Sequence, residues 1–129
     1  ERSCTALAAE RRTGALLDTM RAEIDTQSAP DLTDEAFCAS DVAFHRALVD
    51  CAGNEVLSYH LAGSVEAMQP LMNMTTFTAR SRAEIIDLHR AIVTGLERRD
   101  VASVDSALAT LEAYTITLGQ SVLKARATR

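Results

Sequence analysis

Residues 81 to 96 narrow the fold most. Ser81-Arg-Ala-Glu84 has the form of a helix capping box, and Ile85, Leu88, His89, Ile92 and Leu96 follow it at i, i+3, i+4, i+7 and i+11. That spacing puts five side chains on one face of an amphipathic helix, and a single-faced helix must bury its stripe against others. The rest of the chain supplies them. It holds two prolines and five glycines in 129 residues, with no sustained apolar/polar alternation, and it is rich in Ala, Leu, Glu and Arg. The expectation is an all-α antiparallel bundle of about six helices forming a single domain over residues 1–129.

The first helix is expected from Arg2 to Thr26, with Leu7, Leu17, Met20 and Ile24 as its apolar stripe and Gly14 as its weak point. Gln27-Ser-Ala-Pro-Asp31 reads as a turn. Thr33 caps a second helix running to Ala52, with Asp34 and Glu35 in its first turn where the helix dipole favours them. Gly53 fits the left-handed residue after that helix and Asn54 the cap of a third, which Pro70 interrupts. Asp100 caps the last helix, whose face is Val101, Val104, Leu108, Leu111, Thr115, Leu118 and Val122, ending in a cationic tail that frays.

Charge and cysteine content exclude several classes of function. A net charge of -5 and a pI near 5.1 are the reverse of a phosphate-gripping surface, so this portion does not bind nucleic acid by itself. Cys4, Cys38 and Cys51 are odd in number and lack a CxxC pair, which leaves them as small apolar core residues. Charges break every apolar run before a membrane span is reached, and Glu-Arg-Ser-Cys is unlike a signal peptide, so a cytoplasmic protein is expected. The absence of a starting methionine points to a piece of a longer protein, with any DNA-binding part elsewhere. No Gly-x-Ser-x-Gly elbow and no phosphate-cradling glycine loop is present, so the chain is not expected to be an enzyme.

The candidate chemistry lies in Asp41, His45 and His89. Asp41 and His45 are four apart and share a helix face with Phe37, Phe44 and Leu48, while His89 sits in the stripe of another helix. A carboxylate and two imidazoles converging from two helices suit a divalent transition metal. The same spacing also serves a surface hydrogen-bonded pair and a satisfied core histidine. His60 reads as surface or pocket wall, and Arg46 and Arg90 are rotated off the ligand face. Arg80 and Arg82 flank the start of the His89 helix, placed either to meet an acidic effector or to solvate a cap.

The stretch Asp41-Val-Ala-Phe-His45 through Ala52-Gly53-Asn54-Glu-Val-Leu57, with Asp87-Leu-His89-Arg-Ala-Ile92 and Arg99-Asp100, resembles the FadR C-terminal (FCD) domain of GntR-type transcription regulators. Leu7-Ala-Ala-Glu-Arg11 resembles the first helix of that family. The resemblance implies a homodimeric, effector-binding bundle that reaches operator DNA through an N-terminal winged helix-turn-helix domain absent from this chain. Its effector is implied to be a small organic acid. It also implies a divalent metal, zinc or nickel, held by an Asp, the His four residues on and two further histidines. Asp41, His45 and His89 match three of these, and the fourth position falls on Leu111, which cannot ligate. Loss of a direct ligand costs affinity at least as much as the roughly 10- to 100-fold typical of an outer-shell partner. Tyr114 and Thr115, a turn further on, are placed to reach inward, and an apolar Leu111 also suits the larger acyl effectors of metal-free members.

Two other functions stay open on the sequence: a metal-dependent hydrolase or oxygenase built on the same three residues, and a structural dimerisation unit. Pocket size depends on Met68, Leu71, Met72, Met74 and Phe77.

Overall fold

The structure is a computed structural model that describes residues 8–9, 11, 14–56, 58–60, 63–64 and 81–128. These residues form helices and turns with no strand among them, so the all-α class holds. Four helices have defined bounds: α1 (Gly14–Gln27), α2 (Asp34–Asp50), α3 (Arg82–Glu97) and α4 (Val101–Ala127). Residues 8–9, 11, 55–56, 58–60 and 63–64 are also helical. Cys4, Pro70, Arg80 and the pocket residues Met68 to Phe77 lie outside the described residues. Among the described residues no helix is long and apolar enough to cross a membrane.

Local sequence explains the helix ends. The Thr33 hydroxyl accepts from the Ala36 N–H at 3.2 Å to start α2, and Gly53 takes φ 61° just beyond its end. The turn between α3 and α4 is a Schellman motif. The Arg99 N–H bonds the Leu96 carbonyl at 3.1 Å and the Asp100 N–H the Gly95 carbonyl at 2.9 Å. Its left-handed residue is Arg99, at φ 54°, where glycine is usual. Asp100 then caps α4 through the Ser103 N–H at 3.1 Å. The cationic tail is helical to Ala127.

The Ser81 cap is half of what the capping box predicts. Glu84 N–H does reach the Ser81 hydroxyl, at 3.4 Å. The Ser81 N–H, however, donates to the Tyr114 hydroxyl of α4 at 2.8 Å, so a tertiary contact takes the place expected for the Glu84 side chain.

Helix α1 packs on both α2 and α3, and α3 packs on α4. Because α3 is wedged between two neighbours, Ile86 and Val93 are buried beside the expected Ile85, His89, Ile92 and Leu96, and its apolar face is broader than one stripe. The core is filled by Met20, Phe44, Ile85, Ile92, Leu96 and Val104. Cys38 and Cys51 are buried free thiols, as expected of small core residues.

Candidate metal centre

Asp41 and His45 stand one turn apart on the inner face of α2, and His89 projects from the centre of α3. The structure brings all three together. Asp41 Oδ1 lies 3.2 Å from His45 Nε2 and 3.3 Å from His89 Nε2. His89 is completely buried, Asp41 is 4% exposed, and the His45 side chain, at 14%, is the one nearest solvent. Phe44 roofs the site by stacking on the His89 ring, with centroids 4.0 Å apart and planes at 16°.

Burial works against ionisation of Asp41. Hydrogen bonds and positive charge from His45 and His89 outweigh it, and the carboxyl is held well below its usual value of 3.8. The site therefore presents an ionised oxygen with two imidazole nitrogens inside an apolar shell.

These donors suit a divalent metal. One ligand atom from each residue lies within 4.8 Å of the others. At 3.2 and 3.3 Å the contacts of Asp41 with the two imidazoles are longer than the roughly 2.7–2.9 Å of the strongest charge-assisted bonds. They are close to the roughly 3.3–3.4 Å between two donors that each sit about 2.0–2.1 Å from a common tetrahedral ion. A mixed nitrogen and oxygen set of this kind fits zinc or nickel.

The other expected site residues are elsewhere or otherwise engaged. Arg82 donates to the Leu32 carbonyl at 2.7 Å and to Asp34 Oδ1 at 2.5 Å, and its guanidinium lies 5.1 Å from the Phe37 ring centroid. It clamps the start of α3 to the start of α2. Leu111 and Tyr114 are half-buried on α4 against the core. His60 is exposed, and so are Arg46 and Arg90, the latter paired with Asp87 at 3.2 Å.

Gln27 escaped the sequence reading. Assigned to a turn, it is the last residue of α1 and only 2% exposed, with its Oε1 2.8 Å from His89 Nδ1. The signal was present, since Leu17, Met20, Ile24 and Gln27 continue one helical stripe.

The sequence model of the FCD domain matches residues 1–113. The chain belongs to the FCD domain family. FCD domains are regulatory, effector-binding domains of GntR-type regulators, which bind small molecules and dimerise. No curated protein matches the chain. The family match spans α1 to α3 and ends within α4, so it takes in the three candidate ligands and Leu111.

Proposed function

We propose that this FCD domain is the sensing half of a cytoplasmic, homodimeric GntR/FadR-type transcription regulator. It takes a small organic acid into the bundle and acts on operator DNA through a winged helix-turn-helix domain carried outside this chain. One observation carries the reading: Asp41, His45 and His89 meet at a single carboxylate oxygen in a buried, roofed site.

In this reading Asp41, His45 and His89 would hold zinc or nickel, which would supply Lewis-acid character for binding an effector carboxylate. Leu111, the position at which the family resemblance puts a fourth ligand, has no donor atom, so an effector oxygen or water would complete the set. The candidates for contact with the effector are Arg80, Arg82, Leu111 and Tyr114. An acid that recruits Arg82 must compete with Asp34, and one that recruits Tyr114 must compete with the Ser81 N–H. Both competitions act on the start of α3. They give the effector different affinities for two arrangements of the bundle, as regulation requires.

Metal analysis of the purified domain, followed by a thermal-shift screen of small carboxylic acids with and without chelator, tests the proposal. A chelator-sensitive stabilisation, lost in His45→Ala and His89→Ala, is expected. Turnover of the acid would instead make the site catalytic, and neither metal nor shift would leave a structural dimerisation unit.

A further inference from the structure

Two polar side chains are buried as deeply as the ligands, yet the metal reading does not use them. Gln27 ends α1 and is 2% exposed; Ser40, beside Asp41 on α2, is 4% exposed. Buried polar groups are costly unless bonded, so their partners indicate their purpose. Here the partners form a chain. His89 Nδ1 lies 2.8 Å from Gln27 Oε1, and Gln27 Nε2 donates to Ser40 Oγ at 3.2 Å. Ser40 Oγ lies 2.6 Å from Glu23 Oε2 and 3.1 Å from the Glu23 carbonyl.

The direction of this chain is set at its far end. The carboxylate and carbonyl of Glu23 can only accept, so the one proton of Ser40 points to them. Ser40 must then accept from Gln27, which only the amide NH2 can supply. That turns the Gln27 carbonyl oxygen to His89, and a carbonyl oxygen accepts only from a ring N–H. Nδ1 therefore carries a proton.

We propose that Gln27 is a positioning residue that keeps His89 protonated on Nδ1, so that Nε2 is the nitrogen left for a metal ion; this rests on the metal reading of Asp41, His45 and His89. A competing state lies close by. In the metal-free site a charged His89 carries a second proton on Nε2, facing Asp41 Oδ1 3.3 Å away, which a metal would displace; without Gln27, a neutral His89 can keep that Nε2–H as its only one and then has no lone pair to offer there. Phe44, stacked on the ring, fixes its plane, while Gln27 selects which nitrogen is the donor. Ser40 and Glu23 orient Gln27 in turn.

Long-range 1H–15N correlation spectra of the metal-free domain report the His89 tautomer, and zinc titration against a competing chelator reports affinity. The wild type is expected to show Nδ1–H. Gln27→Leu should move His89 toward Nε2–H and weaken zinc binding by about 10- to 100-fold. Gln27→Glu, which retains an acceptor, should keep Nδ1–H and most of the affinity. Ser40→Ala, which frees the Gln27 amide without removing it, should move both readouts the same way by a smaller factor, and it serves if Gln27→Leu does not fold. Tautomer and affinity both unchanged in the folded variants would overturn the assignment. A wild type that takes up no zinc, but whose Nδ1–H is lost in Gln27→Leu, would overturn the metal reading and uphold the ring-setting role.

Discussion

Gly95 of α3 lies directly against Val104 of α4, and replacing it with alanine should push the two helices apart. A Cβ at this position would lie 2.6 Å from Val104 Cγ2 and 3.2 Å from Val104 N. Carbon atoms in contact rest about 3.5–4.0 Å apart, so the methyl must yield by roughly 1 Å. Val104 is completely buried, and valine in a helix has one strongly preferred rotamer, so it has little room to turn away. Overpacking of this kind costs about 1–3 kcal/mol, against which alanine regains up to about 1 kcal/mol of helix propensity. The expected net loss is about 1–2 kcal/mol. Urea unfolding of Gly95→Ala, Val104→Ala and the double variant, with the m-value held constant, measures it. Val104→Ala alone should destabilise by about 2 kcal/mol through two lost methyl groups and the space they leave. In that background Gly95→Ala should become neutral or stabilising, a coupling of about 1 kcal/mol or more. An additive cycle, or a harmless Gly95→Ala in the native background, would refute the steric argument.

Further outcomes concern the site and its frame. Leu111→His should raise zinc or nickel affinity by about 10-fold or more, judged from the roughly 10- to 100-fold that even outer-shell partners contribute; unchanged affinity in a competition titration would put the fourth position elsewhere. Arg99→Gly should stabilise by about 1 kcal/mol, because it relieves a side chain from the left-handed region, and a lowered melting temperature would contradict this. For acid stability the sign follows from Asp41, whose folded-state pKa is depressed below 3.8. Its contribution is present above the unfolded-state value and is lost as pH falls through the lower folded-state one. Metal-free wild type should therefore lose stability below about pH 4 more steeply than Asp41→Asn, and parallel profiles by chemical denaturation would refute the assignment.

Local rules carried much of the fold into the sequence. The Thr33 cap, the left-handed Gly53, the Asp100 cap and the stripe of α3 all depend on neighbours within a turn or two, and each is found where the residues placed it, except that Leu88 of the stripe is only half-buried. The Asp41 and His45 pair was legible for the same reason. That His89 meets them was offered as a possibility by its place in the buried stripe and strengthened by the family resemblance, since spacing within one helix says nothing about the face it meets. Tertiary choices were hidden. Glu84 looked like the partner of the Ser81 N–H, but a hydroxyl from α4 outcompetes it. Gly95 inside a helix reads as a weakness until Val104 is seen against it. Gln27 was passed over because an amide beside a proline-containing turn resembles loop, although its position continued the α1 stripe.

The Ser81 to Tyr114 bond joins residues 33 apart, whereas Gln27 to His89 spans 62. Loop-closure entropy rises by about 0.6 kcal/mol for each doubling of length, so the second closure is the harder by about that amount. The α3–α4 hairpin can thus form as a local unit, ahead of the arrival of α1 and α2. The bonds that join Gln27, His89 and Asp41 are then among the last the chain makes. A metal ion bound by Asp41, His45 and His89 would hold shut the step by which the domain begins to come apart, and its occupancy should be read as a slower unfolding rate.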